Sequence, residues 1–455
     1  LSMSERPNFL LFVTDQHRAD HLGCYGNPVV RTPHIDALAK RGLRFEQFYV
    51  TTPICMPNRA ALATARMPSV NGVRHSGVPI PLEAVTFVDL LRAAGYRTAL
   101  IGKAHFQTQS AREVADPYVF SAVRAGEMPP ATLDLAVRQR RSGTEYLAER
   151  IELWKADPDR EIARPYYGFD HVQLACGHSD QVEGHYSAWL RARHRAPASL
   201  RGPENALPHG KTLAPQAWRT RMPEELYPSA FIAERTIQFL KDAAGHAERG
   251  PPFFVQCSFP DPHHPFTPPG RYHDMYHPKD ISLPASHGHV DPGEPAQLSR
   301  LREASAVPGF MPGPFTAQLA GADAVREAIA LTYGNVCCVD DAIGRILDAL
   351  DDLDIERSTV LIFTSDHGDL MGDHSLLFKQ GFHYEGLIRV PFIWADPAVP
   401  AGASRLLGST LDIGTSILAR AQLAPSHGMQ GENLLAAAQG KAALHREGVL
   451  IEEED

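Results

Sequence analysis

Short apolar runs alternate with helical patterns along most of the chain. Residues 8–13 form an apolar run of the kind expected for a strand that is buried on both faces. Further strands are predicted over residues 43–50, 96–101, 252–259, 359–363 and 391–395. Helical segments separate these strands, so the pattern predicts an α/β fold with a mostly parallel sheet flanked by helices.

Local end signals predict the helices between the strands. Thr32 and Pro33 fit the preferences of a helix start, and Gly42 fits the position just past a helix end. Similar patterns predict helices over residues 87–94, 230–244 and 324–353. We expect these helices to cover both faces of the sheet.

The alternation breaks down in two places, which sets the predicted domain organisation. Residues 107–227 are rich in Arg, Pro, Gly and His, and either a substrate lid or solvated surface loops would explain them. A second, Pro-rich excursion covers residues 260–320. We predict a catalytic domain over residues 1–400 that contains both insertions. A short C-terminal α+β subdomain is predicted over residues 401–455, with a strand at residues 448–451.

Composition and charge exclude several classes of protein. The 455 residues are 44% hydrophobic, which allows a large core. The formal charge of −9 comes from acidic and basic residues mixed along the chain, which argues against a nucleic-acid partner. No apolar stretch is long enough to span a membrane, and the short polar start suggests a cytoplasmic protein. The six cysteines are scattered, so neither a disulfide framework nor a structural zinc site is expected.

Polar clusters follow the predicted strands. In an open α/β sheet, ligands bind outside the carboxyl ends of the strands. Clusters that are far apart in sequence can therefore meet at one edge of the sheet. The four clusters are Asp15-Gln16-His17, Lys103 with His105, His263-His264, and Asp366-His367.

Two of these clusters offer metal ligands. Asp15, Gln16, Asp366 and His367 would provide two carboxylates, an amide oxygen and an imidazole. This set suits a hard divalent cation such as calcium, magnesium or manganese. Taken alone, Asp15 could be a turn residue that ends a strand. The second carboxylate and its neighbouring imidazole favour metal ligation.

A single cysteine is the candidate nucleophile. A helix can begin at Pro57, which places Cys55 at the helix N-terminus, where free N–H groups favour an anionic group. Arg59 lies about one turn further and can pair with the same group. The alternative is a buried or merely reactive cysteine, which is the usual role of a lone cysteine.

The segment around Cys55 resembles the signature of the sulfatase family. In that signature, Cys-x-Pro-x-Arg, the cysteine is oxidised to formylglycine; the match here is Cys55-x-Pro57-x-Arg59. Residues 62–66 also match, except that Ala65 stands where the family usually has glycine. The resemblance implies an alkaline-phosphatase-like fold.

The resemblance continues through most of the chain. Residues 8–16 are similar to the first strand and first metal ligands of the family, and residues 364–368 to its second metal motif. Residues 102–105 match its Gly-Lys-x-His motif, and residues 262–266 match its histidine loop. Lys379 corresponds to the last active-site lysine of the family.

The resemblance implies a role for each of these residues. Formylglycine at position 55 would attack sulfur, while Arg59, Lys103 and Lys379 neutralise the charged oxygens. His263, with Lys379, would protonate the leaving oxygen, and His105 would take up a proton when sulfate is released. One divalent ion is implied, with calcium expected and manganese or magnesium as alternatives. Its ligands would be Asp15, Gln16, residue 55, Asp366 and His367.

The predicted activity is hydrolysis of a small-molecule sulfate ester to an alcohol or phenol and inorganic sulfate. Gln16 and His367 place the chain near the choline-sulfatase and phosphonate monoester hydrolase branch, whereas Lys103 together with His105 favours a sulfatase. Two alternatives stay open: a phosphonate monoester or phosphodiester hydrolase, and a non-catalytic anion-binding relative with an unmodified cysteine. A formylglycine-generating enzyme, or an equivalent, is the implied partner, and a homo-oligomer is left open.

Overall fold

The computed structural model describes residues 6–110, 141, 143–245, 250–290, 293–444 and 446–454. The strands in these residues are β1 (Asn8–Asp15), β2 (Leu43–Tyr49), β3 (Arg97–Gly102), β4 (His171–Cys176), β5 (Glu183–Gly184), β6 (Phe253–Pro262), β7 (Gln318–Leu319), β8 (Thr359–Ser365), β9 (Leu376–Leu377), β10 (Phe392–Ala395) and β11 (Gly402–Ser409). The α-helices are α1 (Pro33–Arg41), α2 (Cys55–Thr64), α3 (Pro68–Asn71), α4 (Phe87–Ala93), α5 (Ile151–Ala156), α6 (His185–Arg193), α7 (Pro228–Ala244), α8 (Ala296–Ser305), α9 (Ala322–Asp352), α10 (Glu385–Ile388), α11 (Leu411–Arg420) and α12 (Leu434–Ala438).

One large sheet organises the described residues. Its strand order is β11-β2-β10-β8-β1-β6-β3-β4-β5. Strand β10 runs antiparallel to both of its neighbours, and β5 runs antiparallel to β4, whereas the other pairs are parallel. Strands β7 and β9 form a separate antiparallel pair. The prediction of a mostly parallel sheet flanked by helices is confirmed.

The central strand β1 is buried on both faces, and alternate residues enter different cores. Phe9, Leu11 and Val13 pack in the core that contains residues of α2, α4 and α11. Leu10 and Phe12 pack in the core that contains residues of α1, α7 and α9. Successive side chains of a strand point to opposite faces, so the apolar run over residues 8–13 supplies both layers.

The register aligns the carboxyl ends of the central strands. Thr14 of β1 pairs with Ser365 of β8, and Val13 pairs with Ser258 of β6. Gly102 of β3 also pairs with Ser258. The residues that follow these strands therefore leave the sheet at the same edge.

The long predicted helices are present with slightly shifted ends. The helix predicted over residues 230–244 is Pro228–Ala244, and the one predicted over residues 324–353 is Ala322–Asp352. Helix α4 begins with a capping box, in which the side chains of Thr86 and Asp89 each bond to the backbone of the other. None of the described helices combines the length and the apolarity needed to cross a lipid bilayer.

The region over residues 107–227 holds more regular structure than the sequence indicated. Residues His171–Cys176 form β4, a strand of the main sheet, and His185–Arg193 form helix α6. The pattern of this strand was not recognised, because His171 and Gln173 interrupt its apolar residues. The proposed lid falls partly on residues 111–140 and 142, which lie outside the described residues.

The C-terminal part of the chain packs directly on the main sheet. Strand β11 pairs with β2, and Leu418 of α11 shares a core with residues of α2. The strand predicted over residues 448–451 is wrong: these residues are irregular, and Leu450 is 65% exposed. With Leu450 facing solvent, the apolar run is not buried in a ladder, and the backbone N–H of Glu452 instead donates to the carbonyl of Thr51. The domain boundary at residue 400 stays a prediction.

Candidate active site

Five neighbouring strands deliver polar residues to one edge of the sheet. Asp15 ends β1, Asp366 directly follows β8, and Lys103 directly follows β3. His263 directly follows β6, and His178 lies two residues after β4. Because these strands are adjacent in the order β8-β1-β6-β3-β4, their ends form a continuous row of functional groups.

Cys55 is the first residue of α2 and lies inside this row. Its side chain is buried, and the ammonium group of Lys379 donates to its Sγ at 3.8 Å. Burial raises the pKa of this thiol, but the positive charges of Lys379 and Lys103 outweigh burial and bring the pKa to about 7. The helix N-terminus adds further stabilisation of negative charge at this position.

Arg59 connects the helix to three strands, β8, β3 and β6, by hydrogen bonds to residues in or directly after them. Its Nε donates to Oδ2 of Asp366 at 2.6 Å, and its Nη1 donates to the carbonyl of Lys103 and to Oγ of Ser258, each at 2.8 Å. Its Nη2 lies 3.8 Å from Oδ2 of Asp15. This buried Nη2 donates to no described residue, so it is available to an anion beside residue 55.

A divalent metal ion would fit the donors that Asp15, Gln16, Asp366 and His367 present. One ligand atom from each of Asp15, Asp366 and His367 lies within 4.8 Å of the others. Oδ1 of Asp15 and Oε1 of Gln16 are buried and accept no hydrogen bond from the part of the chain that the structure describes. These two buried oxygens receive no hydrogen bond from the described residues and lie beside a second carboxylate and an imidazole. Such a set of ligand atoms suits a hard cation.

Three hydrogen-bond contacts fix the orientation of the side chains of His367 and Gln16. Nδ1 of His367 lies 2.7 Å from the carbonyl of Gly368, which leaves Nε2 directed at Oδ1 of Asp15, 3.5 Å away. The amide nitrogen of Gln16 contacts Asp369 and lies 3.0 Å from Nδ1 of His264. The amide oxygen of Gln16 is therefore the end that remains for a cation.

Two buried lysines balance the carboxylates of the site. Nζ of Lys103 contacts Oδ2 of Asp15 and lies 2.6 Å from Nε2 of His178. Nζ of Lys379 lies 2.9 Å from Nε2 of His367 and 3.0 Å from Nε2 of His263. Burial raises the pKa of Asp15, but the charges of Lys103 and Arg59 hold it well below its usual range.

His263 is placed between a cation and a second imidazole. Its Nδ1 contacts the carbonyl of His264, and its Nε2 faces Lys379. Its ring stacks on that of His178 at a centroid distance of 3.7 Å. Burial, together with His178 and Lys379, lowers the pKa of His263 well below its usual range.

His105 lies in the same region but its ring makes no described hydrogen bond to the other predicted site residues. Its φ is +56°, and a buried carboxylate, Glu149, accepts the backbone N–H groups of His105, Phe106 and Gln107. Burial and the charge of Lys103 lower the pKa of His105 to about 3. Its Nδ1 is buried and has no partner among the described residues, so this atom could accept a proton.

Sequence analysis missed several residues that shape the site. His178 was missed because β4 was not recognised; the rule that polar residues follow strands would otherwise have found it. Asn58 accepts from Thr51 and donates to the carbonyl of Asp366, which ties the nucleophile helix to β8. Glu149 gave no signal, because its role depends on the path of a distant loop.

Comparison with known proteins connects this geometry with one family. A family model described as Sulfatase matches residues 7–423. An arylsulfatase of Clostridium perfringens is 28% identical over 410 residues, which cover 86% of this chain and 69% of that protein. A choline-sulfatase of Rhizobium meliloti is 24% identical over 90% of this chain and 66% of its own length. The chain thus spans about two thirds of the length of these two relatives.

Solved structures show the same fold. The crystal structure of a phosphonate monoester hydrolase of Agrobacterium radiobacter has a TM-score of 0.72 and 26% sequence identity. The similarity covers 97% of this chain and 78% of that protein. The structure of BT4656 in complex with its substrate, D-glucosamine-2-N,6-O-disulfate, has a TM-score of 0.64 at 19% identity, and the similarity covers 96% of this chain and 81% of that one.

Proposed function

The chain belongs to the sulfatase family and is a sulfuric ester hydrolase, and from that premise we propose that the site around Cys55 hydrolyses a small-molecule sulfate ester. The products would be an alcohol or phenol and inorganic sulfate. One observation carries the proposal: Cys55 lies at the start of α2, beside Lys379, where it faces the donors Asp15 and His367. Nucleophile, cations and metal donors are thereby combined at one buried point.

We propose that the active protein carries a modified side chain at position 55 and one bound metal ion. Cys55 would be oxidised to formylglycine by a separate maturing enzyme, and one hydroxyl of its hydrate would be the nucleophile. Loss of a proton from the second hydroxyl would then expel sulfate and restore the aldehyde, which water hydrates again. Asp15, Gln16, Asp366, His367 and residue 55 would hold one divalent ion, with calcium expected and manganese or magnesium as alternatives. The ion would supply charge that favours the deprotonated nucleophile.

Three cationic side chains would bind the sulfuryl oxygens. Arg59, Lys103 and Lys379 are almost fully buried, so their charges act in a medium that screens them weakly. The free Nη2 of Arg59 points to the same side as Asp15. Preorganised charges of this kind are usually the largest single contribution to catalysis.

Protons would move through two histidines. His263 and Lys379 would together protonate the leaving oxygen: the low pKa of His263 keeps its imidazole neutral at rest, so the ammonium group of Lys379, 3.0 Å from Nε2 of His263, would be the source of the proton. On the other side, the unpartnered Nδ1 of His105 would accept a proton when sulfate is released. The low pKa of His105 keeps the imidazole neutral at physiological pH, as a proton acceptor requires.

Mass spectrometry and kinetics together test this proposal. After coexpression with a formylglycine-generating enzyme, the peptide that contains Cys55 should carry the mass of the aldehyde, and the protein should hydrolyse an aryl sulfate. Cys55→Ala should abolish turnover, whereas Cys257→Ala, a matched change at another buried cysteine, should leave it largely intact. An unmodified thiol in active protein would contradict the assignment of the nucleophile.

Phosphonate monoester or phosphodiester hydrolysis is the second candidate. The structural similarity to a phosphonate monoester hydrolase favours it, as does the presence of Gln16 beside Asp15. Sulfate monoesters carry one negative charge and phosphate diesters also carry one, so charge alone does not separate them. Rates on an aryl sulfate, an aryl phosphonate monoester and a phosphate diester, measured in parallel, would rank the two activities. A cytoplasmic location stays a prediction, and a homo-oligomer stays open.

A further inference from the structure

An exposed aromatic ring lies directly over the histidines of the site. The ring centroid of Phe315 is 5.7 Å from that of His264, 6.1 Å from His263 and 6.3 Å from His178. Phe315 is nevertheless 47% exposed, so much of its ring faces solvent at the mouth of the site. Ligand sites typically combine aromatic walls with a few precisely placed polar groups, as Phe315 and the histidines do here.

The backbone around Phe315 is tied to the catalytic residues. Thr316 forms a parallel bridge with Lys379, the lysine beside Cys55. The side-chain amide of Gln216 donates to the carbonyl of Pro314 at 2.7 Å, and the hydroxyl of Thr316 donates to the carbonyl of Gly313 at 2.9 Å. The position of the ring is therefore fixed relative to the proposed acid pair of His263 and Lys379.

We propose that Phe315 is the wall against which the alcohol part of the substrate packs, so that the preferred substrates are sulfate esters of phenols or of other flat apolar alcohols. This inference rests on the proposed function. Arg59 and Lys103 occupy the deep side of the site and would take the sulfuryl oxygens. The leaving oxygen must then point toward His263, and the group bonded to it extends along the ring of Phe315.

The chemistry of this surface discriminates between kinds of alcohol. A phenyl ring can stack on Phe315 or meet it edge to face, and it buries apolar area in doing so. A compact polar alcohol presents no flat apolar face and gains little from contact with the ring. Phe315 thus favours esters of phenols and other flat apolar alcohols over esters of compact alcohols.

Substitution of Phe315 tests the inference with two substrates. Para-nitrophenyl sulfate offers a ring, and trifluoroethyl sulfate is an activated ester with a compact alcohol. Phe315→Ala should lower kcat/KM for the aryl ester by about 5- to 30-fold, mainly through KM, because it removes one half-buried aromatic contact. The compact ester should change by less than about 2-fold, since it does not reach the wall.

Control variants separate a local effect from a general one. Phe315→Trp should retain or increase the preference for the aryl ester. Phe310→Ala, at a ring that is 39% exposed on the same segment, should change neither substrate. Melting temperatures of all three variants should match the wild type within a few degrees, because the substituted rings are partly solvated.

Each result has a distinct meaning. If the wild-type protein hydrolyses neither sulfate ester, the proposed function fails. If it hydrolyses both but Phe315→Ala lowers both rates equally, or lowers neither, the inference about Phe315 is wrong and the proposed function stands. Only a selective loss on the aryl ester, restored by Phe315→Trp, supports the inference.

Discussion

At the residue scale, the site depends on lysine and arginine side chains whose charges are almost completely shielded from water. Lys379 is 3% exposed and lies near three partners, His263, His367 and Cys55. Its ammonium group offers three protons, so it could still donate to Nε2 of His263 when Nε2 of His367 binds an ion. Its charge also lowers the pKa of the Cys55 thiol, which makes it the natural target for a single substitution.

Lys379→Met keeps the length and apolar stem of this side chain and removes its charge. We expect kcat to fall by about 100- to 1,000-fold, as for the loss of one preorganised donor at a developing charge. Steady-state kinetics on an aryl sulfate measure this loss. Lys441→Met, at an exposed lysine, is the control and should leave kcat unchanged. A loss of less than about 5-fold would exclude a direct role for Lys379.

Gly102 makes the close approach that lets Lys103 turn into the site. Its φ is +108°, and a Cβ there would lie 1.8 Å from the carbonyl oxygen of Ser258. Gly95 has a similar φ of +91°, but a Cβ there would meet no described atom within 4 Å. The two glycines therefore separate the cost of the backbone conformation from the cost of the clash.

Gly95→Ala should destabilise the protein by about 1–2 kcal/mol, the cost of a left-handed alanine. Gly102→Ala should cost about 3 kcal/mol or more, since the strand backbone must also shift. Urea unfolding of both variants gives the free energies. Equal losses for the two variants would contradict the close approach between β3 and β6.

At the scale of elements, a buried carboxyl joins two helices. Asp340 of α9 accepts the backbone N–H groups of His34 and Ile35 in the first turn of α1, at 3.1 and 2.8 Å. Burial raises the pKa of Asp340 from 3.8 to about 7, more than these hydrogen bonds lower it. The folded protein therefore binds this proton more tightly than the unfolded chain does.

This raised pKa gives a pH dependence of stability. Between about pH 4 and pH 7, the folded state holds more protons at this site than the unfolded state, so stability falls as pH rises. Asp340→Asn should reduce the loss of unfolding free energy between about pH 4 and pH 7 by a few kcal/mol. It should also lower the stability by about 1 kcal/mol, because the amide caps the start of α1 less well. Chemical unfolding at several pH values provides the slope. Asp323→Asn, at an exposed carboxyl on the same helix, should not alter it.

Elements with strong patterns were predictable, and those with mixed patterns were not. The apolar run of β1 and the long amphipathic α9 carry their own signal, because burial on two faces or on one stripe dictates residue type. Strand β4 alternates polar and apolar residues and lies next to a short strand, β5, near the edge of the sheet. The apolar run of residues 448–451 predicted a strand that does not form, because side chains there contact solvent rather than a neighbouring strand.

At the scale of the whole molecule, a bound ion would connect strands that lie far apart in sequence. Asp15 and Gln16 follow β1, and Asp366 and His367 follow β8, so an ion held by all four would add to the stability of the sheet. An ion that binds only the folded state stabilises it by about 2.7 kcal/mol at a concentration 100 times its Kd. The melting temperature should therefore depend on the concentration of the ion.

Treatment with a chelator should lower the melting temperature by several degrees, and calcium, manganese or magnesium should restore it. Differential scanning calorimetry measures the shift for each ion and ranks their affinities without any assay of turnover. Asp366→Asn should abolish most of the ion-dependent shift, whatever its effect on the melting temperature itself. A melting temperature that no divalent ion changes would contradict the metal site.

The outline of the site was predictable because the rule for parallel sheets needs only the strands and the residues that follow them. That rule placed Asp15, Lys103, His263 and Asp366 at one edge, where the structure has them. It could not place Phe315, whose contacts depend on how a long excursion folds back. Residues that act through tertiary contacts leave no periodic trace in the sequence.

The bridge between Thr316 and Lys379 joins two parts of the site with different tasks, the reacting groups and the segment that contacts the alcohol. The reacting groups are mounted on strands that the whole core holds in place, whereas Phe315 belongs to an excursion joined to them through a few backbone and side-chain hydrogen bonds. Sequence changes in the excursion can therefore alter which esters are preferred without moving the reacting groups. Among descendants of one ancestor, the range of esters attacked should diverge faster than the chemistry that attacks them.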